Sequence, residues 1–239
     1  MLHQANHWTE IAGIAISAIL LCRILALRLY RVYLFITLAC VLDVLFDGIV
    51  LWLGEGSQAG DRVIIYSRFI YALVYPMVAW DVFEEIKNQV GKLRKLAIVR
   101  LISGLFFAVI FGLIMAASIN SDNTNGEPVF TYTLALVLWA GSTTASFAFL
   151  LTIYRVLRTQ PIVRPNNTNV WMYYYGLSFL AEVVFCFLAL AVPLTKSEAA
   201  KDVVDIAFTA FGIILTSWCI LKLRAVASDL PSASENAPL

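Results

Sequence analysis

Hydrophobic residues fall into long runs along the chain, and short polar stretches separate the runs. Turn-forming residues mark the separations, as in Gly54-Glu55-Gly56-Ser57. Each run has about 20 residues, which is enough for an α-helix to cross a hydrocarbon core of about 30 Å at about 1.5 Å per residue. The pattern predicts seven spans, numbered 1 to 7 in chain order: 9–29, 32–53, 62–83, 96–118, 131–154, 171–194 and 203–225.

These spans predict the fold class, which is an all-α, polytopic integral membrane protein with one seven-transmembrane-helix domain over residues 1–227. Residues 228–239 are rich in serine and proline, and we expect them to form a short disordered tail. Composition supports a membrane location, because 61% of the 239 residues are hydrophobic and only 14% are charged. A typical soluble domain has about 25% charged residues. The net charge of +1 gives no reason to expect nucleic acid as a partner.

Lysine and arginine are distributed unequally between the two ends of the spans. Thirteen of them fall on the side where span 1 ends, and four fall on the other side. Because these residues favour the cytoplasmic side, the bias predicts an N-terminus outside and a C-terminus in the cytoplasm. The expected location is the bacterial cytoplasmic (inner) membrane.

Charged residues inside the spans predict a buried polar network of Asp43, Asp47, Arg68 and Glu182. Asp43 and Asp47 lie about 40° apart on one face of span 2. Arg68 in span 3 falls at the level of Asp47, and consecutive helices are usually neighbours, so we expect an Asp47–Arg68 ion pair. Glu182 falls at the level of Asp43. A carboxyl without a partner in a region of low dielectric is cheapest in its neutral form, so either of these two is a candidate for titration.

Five spans present a stripe of polar or aromatic residues, a pattern typical of helices that converge inside a bundle. Besides the aspartates of span 2, the residues expected to line a polar cavity are Tyr71 and Tyr75 in span 3, Ser142 and Ser146 in span 5, Tyr175 and Ser178 in span 6, and Asp205 and Thr209 in span 7. The alternative interpretation is that intramembrane polar pairs only hold the helices together.

The sequence argues against catalysis and against cofactors. His3 and His7 both precede span 1, which excludes a transmembrane bis-histidine haem. The predicted topology is similar to that of the microbial rhodopsins, but Lys201 and Lys222 lie only at the ends of span 7, so no retinal Schiff base is expected. No Ser–His pair lies within the spans, and we predict no catalytic residue, no metal site and no enzyme activity.

We expect a non-enzymatic sensor, receptor-like protein or scaffold, with its polar network between helices 2, 3 and 6. One alternative is a small-solute or proton-coupled transporter that uses Asp43 or Glu182 as the titrating group. A second alternative is an accessory subunit of a larger membrane complex. The expected partner is the lipid bilayer, whose anionic headgroups the lysines of the charge-rich segment 84–95 are expected to contact. The alternative is that segment 84–95 binds a membrane or cytoplasmic protein.

Overall fold

The computed structural model describes residues 2–54, 57–87, 95, 98–99, 101–107, 109–110, 113–114, 127–159, 165–195 and 198–225. Its first three α-helices are α1 (Leu2–Ala26), α2 (Leu34–Leu53) and α3 (Gln58–Glu84), and a 3₁₀ turn over Leu29–Arg31 joins α1 to α2. Residues 101–107 are also helical, and we label them α4. The remaining helices are α5 (Glu127–Thr159), α6 (Asn166–Thr195) and α7 (Glu198–Lys222). No strand occurs among the described residues, so the all-α prediction is confirmed for them.

Five of these helices are long and apolar enough to cross a membrane: Ala5–Ala26, Leu34–Leu53, Gln58–Glu84, Phe130–Thr159 and Val203–Lys222. They correspond to predicted spans 1, 2, 3, 5 and 7. Much of predicted span 4 lies outside the described residues, and the side chains described in span 6 end at Phe185. The chain therefore has the helices of a membrane protein.

The described helices pack as a closed ring. Each of α1, α2, α3, α5, α6 and α7 contacts the next in this order, and α7 returns to α1. A further contact between α3 and α6 crosses the middle of the ring. The core is aromatic as well as aliphatic, since Trp171, Phe83, Phe149 and Phe179 are fully buried. α4 lies against α5, because a Cβ atom added to Gly104 would come within 2.9 Å of the Ala145 Cβ atom.

Side-chain contacts give the relative directions of neighbouring helices. In α3 and α5, Ser142 contacts Ala72 and Phe149 contacts Phe83, so residue numbers increase together and the two helices are parallel. The opposite order is found between α2 and α3, between α3 and α6, and between α6 and α7, which are antiparallel pairs. α1 and α7 are parallel, since Arg23 contacts Leu223 and Gly13 faces Thr209.

A proline inside α3 explains one of the contacts with α5. Pro76 has no N–H group, so the carbonyl of Ala72, four residues earlier, loses its normal helical donor. The Ser142 hydroxyl of α5 donates to this carbonyl at 2.6 Å. In a membrane, neighbouring serine and threonine side chains are one of the ways in which such freed backbone groups are satisfied. α3 therefore continues past the proline to Glu84.

Candidate polar site in the helix bundle

The first carboxyl of the site, Asp43, is held by a tyrosine. The hydroxyl of Tyr71 on α3 donates to Asp43 Oδ1 on α2 at 2.7 Å. The Phe46 ring packs edge-on against the Tyr71 ring, with the ring centroids 5.9 Å apart. α2 and α3 are neighbours and antiparallel, which brings these side chains to the same level.

The second carboxyl, Glu182, belongs to α6 and is also held by a tyrosine of α3. The hydroxyl of Tyr75 donates to Glu182 Oε1 at 2.9 Å. On the other carboxyl oxygen, Thr143 of α5 donates to Oε2 at 3.4 Å, while the same hydroxyl also contacts the Trp139 carbonyl at 2.8 Å. Because a hydroxyl has one hydrogen to donate, the contact with Glu182 is the weaker of the two.

The two carboxyl sites meet through α3. Tyr71 and Tyr75 are one helical turn apart, and their ring centroids lie 5.3 Å from each other. We call Asp43, Tyr71, Tyr75, Glu182 and Thr143 the central network. The central network joins α2, α3, α5 and α6. Arg68, the cationic residue of the predicted polar network, makes no contact with the carboxyl oxygens of Asp43 or Glu182 among the described interactions.

The predicted Asp47–Arg68 pair is not present. Both residues are described, and they form no ion pair with each other. Asp47 is exposed on the surface of α2. Arg68 instead directs its guanidinium toward α5, where Tyr132 and Trp139 lie. Counting residues along neighbouring helices gives the height of a side chain, but it does not give the direction in which a long side chain turns.

The guanidinium of Arg68 lies between two aromatic rings. Its central carbon is 5.1 Å from the centroid of the Tyr132 ring and 5.6 Å from that of the Trp139 ring. The Nη1 atom is buried and has no hydrogen-bond partner. The charge is therefore compensated by ring faces rather than by a carboxylate.

The other residues predicted to line a cavity lie in several places. Ser142 and Ser146 are buried between helices, the first bonded to the Ala72 carbonyl and the second with an unpartnered hydroxyl. The Tyr175 ring is buried beside Trp171 and Phe179. Ser178 is half-buried in α6.

The predicted stripe of span 7 lies at the contact between α7 and α1. Thr209 donates to the Asp205 carbonyl at 2.9 Å, which is a bond within α7. Its methyl carbon lies 3.5 Å from the position that a Cβ atom of Gly13 would occupy. The structure thus places Thr209 beside α1, whereas the central network lies among α2, α3, α5 and α6.

Two carboxyls that sequence reasoning did not single out lie at the end of α3. Asp81 Oδ2 accepts hydrogen bonds from the backbone N–H groups of Phe35 at 2.6 Å and Ile36 at 3.1 Å. These are donors of the first turn of α2, and the side chain of the N-cap residue Tyr33 does not cap them. Asp81 therefore caps a neighbouring helix. The sequence shows a carboxyl near a span end, but it does not show a backbone partner.

Glu85, four residues after Asp81, connects three segments. Its Oε2 atom accepts hydrogen bonds from the hydroxyls of Tyr33 and Thr168. These two hydroxyls are themselves 3.4 Å apart. Tyr33 precedes α2 and Thr168 lies in the first turn of α6, so the end of α3 is tied to the beginnings of both helices.

The end of α7 is held at the same end of the bundle. The Asn167 side chain donates to the Arg224 carbonyl at 2.8 Å and accepts from the Arg224 N–H at 2.9 Å. The carbonyls of Lys222 and Leu223 accept bonds from Asn166 at 3.0 Å and Arg23 at 3.3 Å, respectively. The groups that hold this end together, which we call the clamp, are Asp81, Glu85, Tyr33, Thr168, Asn166, Asn167 and Arg23.

Segment 84–95, expected to contact lipid headgroups or a protein partner, lies only partly among the described residues, which include 84–87 and 95. In the described part, Glu84 accepts a charged hydrogen bond from Lys87. The remaining residues of the segment lie outside the described part of the chain.

The described residues form an all-helical bundle that has five helices long and apolar enough to cross a membrane and a carboxyl–tyrosine network at its centre. No family model, no curated protein and no solved structure matches the chain.

Proposed function

We propose that the protein is an integral membrane protein with seven crossings. The five membrane-crossing helices are supplemented by α6, which is 30 residues long and antiparallel to α3. The parallel arrangement of α3 and α5 supports a further crossing between them, because the chain must return across the bundle before α5 begins. Predicted span 4 supplies this return, and α4 lies within it against Ala145.

The proposed orientation places the N-terminus outside and the C-terminus in the cytoplasm of a bacterial cell. The distribution of lysine and arginine supports this orientation. The clamp, which includes Arg23, then lies at the cytoplasmic end, together with Arg224 and Lys222.

Within this bundle, we propose a non-enzymatic sensor or receptor-like function. The observation that carries the proposal is that carboxyls of two different helices are bonded to tyrosines one turn apart on a single third helix. Intramembrane ionisable residues are rare and usually functional. A chemical change at Asp43 or at Glu182 therefore alters a hydrogen bond to α3.

The proposed mechanism is a change of hydrogen bonding at one of these carboxyls. An ionised carboxylate only accepts hydrogen bonds, whereas a protonated carboxyl also has an O–H group to donate. The groups facing Asp43 are Tyr71 and, one turn away, Asp47 and the buried Cys40, and those facing Glu182 are Tyr75 and Thr143. Arrival of a proton or of a small polar ligand changes these bonds, and we expect α3 to shift against α2 or α6.

Infrared difference spectroscopy on the reconstituted protein tests this proposal. During an acid titration, we expect a carboxyl C=O band that disappears in Asp43→Asn or Glu182→Gln and shifts in Tyr75→Phe. Tyr66→Phe is the matched control, since Tyr66 lies on the same helix but is 61% exposed. If the titration produces no band that either carboxyl variant removes, the proposed response of the central network is wrong.

A transporter is the second candidate, and one observation favours it. Asp47 is exposed on α2 one turn from Asp43, so a carboxyl outside the network lies close to one inside it. Proton-dependent flux in liposomes that Asp43→Asn abolishes would favour the transporter over the sensor. Absence of both flux and the infrared response, with a partner that co-purifies reproducibly, would favour an accessory subunit.

A further inference from the structure

Among the described residues, Arg68 is half-buried and the charge of its guanidinium is incompletely compensated. Arginine does not lose its proton in proteins, and burial of an unpaired charge is costly. Arg68 has no ion pair with Asp47, and its buried Nη1 atom has no hydrogen-bond partner. The face of an aromatic ring attracts a cation, but it does not replace the oxygen acceptors that guanidinium N–H groups normally find.

Two residues of α5 form the walls around this group. Tyr132 and Trp139 are seven residues apart, so they lie within about 20° of each other on one face of the helix. The guanidinium carbon is at a similar distance from both rings, 5.1 Å and 5.6 Å. The three residues therefore form a slot between α3 and α5, with N–H donors inside it.

Arg68, Tyr132 and Trp139 lie in the half of the bundle where α3 and α5 begin. Side chains of a helix lean toward its N-terminus, so Arg68 leans toward Gln58. Tyr132 lies only five residues after Glu127, about 8 Å along α5, and it is 44% exposed. A long cationic side chain that leans in this direction extends toward the headgroup region of a membrane.

We propose that Arg68, Tyr132 and Trp139 bind the phosphate group of an anionic lipid in the groove between α3 and α5. Guanidinium matches phosphate oxygens in a bidentate arrangement, and a singly charged phosphate diester neutralises the arginine. The acyl chains of the same lipid lie along the exposed apolar surface of the helices. This site is separate from the central network and does not depend on the proposed sensor function.

Lipid retention measured by native mass spectrometry tests the proposal. The protein is released from nanodiscs that contain equal amounts of phosphatidylglycerol and phosphatidylcholine, and the retained lipids are counted. We expect wild type to retain phosphatidylglycerol in preference to phosphatidylcholine. In Arg68→Gln, the ratio of the two retained lipids should be about tenfold lower. Arg62→Gln is the matched control, because Arg62 is an exposed arginine of the same helix, and it should keep the preference. Equal retention by Arg68→Gln and wild type would overturn the proposal.

Two further variants keep the test decisive if Arg68→Gln does not fold. Arg68→Lys keeps the charge but loses the planar donor arrangement, and Trp139→Leu keeps the arginine but removes one wall. After circular dichroism has verified their helix content, both should show a severalfold weaker preference. Full preference in both folded variants would contradict the site.

A separate measurement distinguishes a lipid from a soluble anion. Wild type in nanodiscs of phosphatidylcholine alone is titrated with inorganic phosphate, and its thermal unfolding is followed. We expect no stabilisation by phosphate and a higher unfolding temperature when phosphatidylglycerol is included. Stabilisation by inorganic phosphate equal to that by phosphatidylglycerol would assign the site to a soluble anion and overturn the lipid as its source.

Discussion

The clamp and the central network both join several helices through polar side chains, but most bonds of the clamp go to backbone groups, apart from those that Glu85 accepts from Tyr33 and Thr168. In the clamp, Asp81 and Asn167 bond to backbone groups at helix ends. In the central network, Asp43 and Glu182 bond to other side chains, chiefly one tyrosine each. A backbone group at a helix end moves only with its helix. A tyrosine hydroxyl, in contrast, can rotate its O–H bond toward another acceptor without any movement of the backbone.

This difference separates a fixed part of the bundle from a part that can respond. The ends of α3 and α7 and the beginnings of α2 and α6 are held by the clamp. When hydrogen bonds of the central network change, the helices should therefore move mostly at the end of the bundle opposite the clamp. If the two regions differ in this way, loss of clamp contacts should destabilise the bundle more than loss of contacts in the central network.

Loss of the shared cap should have the largest effect. Asp81→Ala removes the acceptor of two first-turn N–H groups of α2, of which that of Ile36 is buried. We expect the free energy of unfolding in detergent to fall by about 2 kcal/mol. Asp61→Ala is the control, since Asp61 is exposed in the first turn of α3 and should cost less than half as much. Equal losses would show that Asp81 is not a cap in solution.

Loss of the Asn167 side chain from the clamp should have the second-largest effect on stability. Asn167→Ala removes two hydrogen bonds to the backbone of Arg224, and we expect a loss of about 1 to 2 kcal/mol in the same measurement. Asn169→Ala is a close control, because the side-chain oxygen of Asn169 is buried without a partner and its removal should cost little. If the two variants unfold alike, the contact with Arg224 contributes nothing to the clamp.

The proline of α3 predicts a dependence between two positions. Ser142→Ala leaves the Ala72 carbonyl without a donor, and we expect a loss of about 1 kcal/mol. In a Pro76→Ala background, residue 76 regains an N–H group for this carbonyl, so Ser142→Ala should cost much less. A double-mutant cycle of unfolding free energies measures this coupling. The same cost in both backgrounds would contradict the proposed role of Ser142.

The smallest effect on stability should come from the central network. Tyr71→Phe removes one side-chain bond to Asp43, and we expect a loss of about 0.6 kcal/mol. Tyr66→Phe, at an exposed position of the same helix, should be neutral. A loss for Tyr71→Phe as large as that for Asp81→Ala would remove the distinction between the two regions.

Much of the fold follows from the lengths of the apolar runs. A run of about 20 apolar residues has few alternatives to a membrane helix, so the sequence predicts spans 1, 2, 3, 5 and 7. The grouping of Asp43 with Tyr71 also follows from helix periodicity, since both residues lie on inward faces at matching heights.

The remaining features depend on information that residue types do not carry. The direction of the Arg68 side chain is set by the aromatic rings of α5, which are more than sixty residues away in the chain. Asp81 and Asn167 bond to backbone groups, and any residue type can supply those. Such partners become visible only when the helices have been placed.

The parallel arrangement of α1 and α7 has a practical consequence. Although the two helices are neighbours, the start of α1 and the end of α7 lie at opposite ends of the bundle. The termini of many soluble domains are close enough to be joined, so those domains tolerate circular permutation. In the proposed topology, a linker between the ends would have to cross the bilayer, and two reporters fused to the ends would be separated by the membrane.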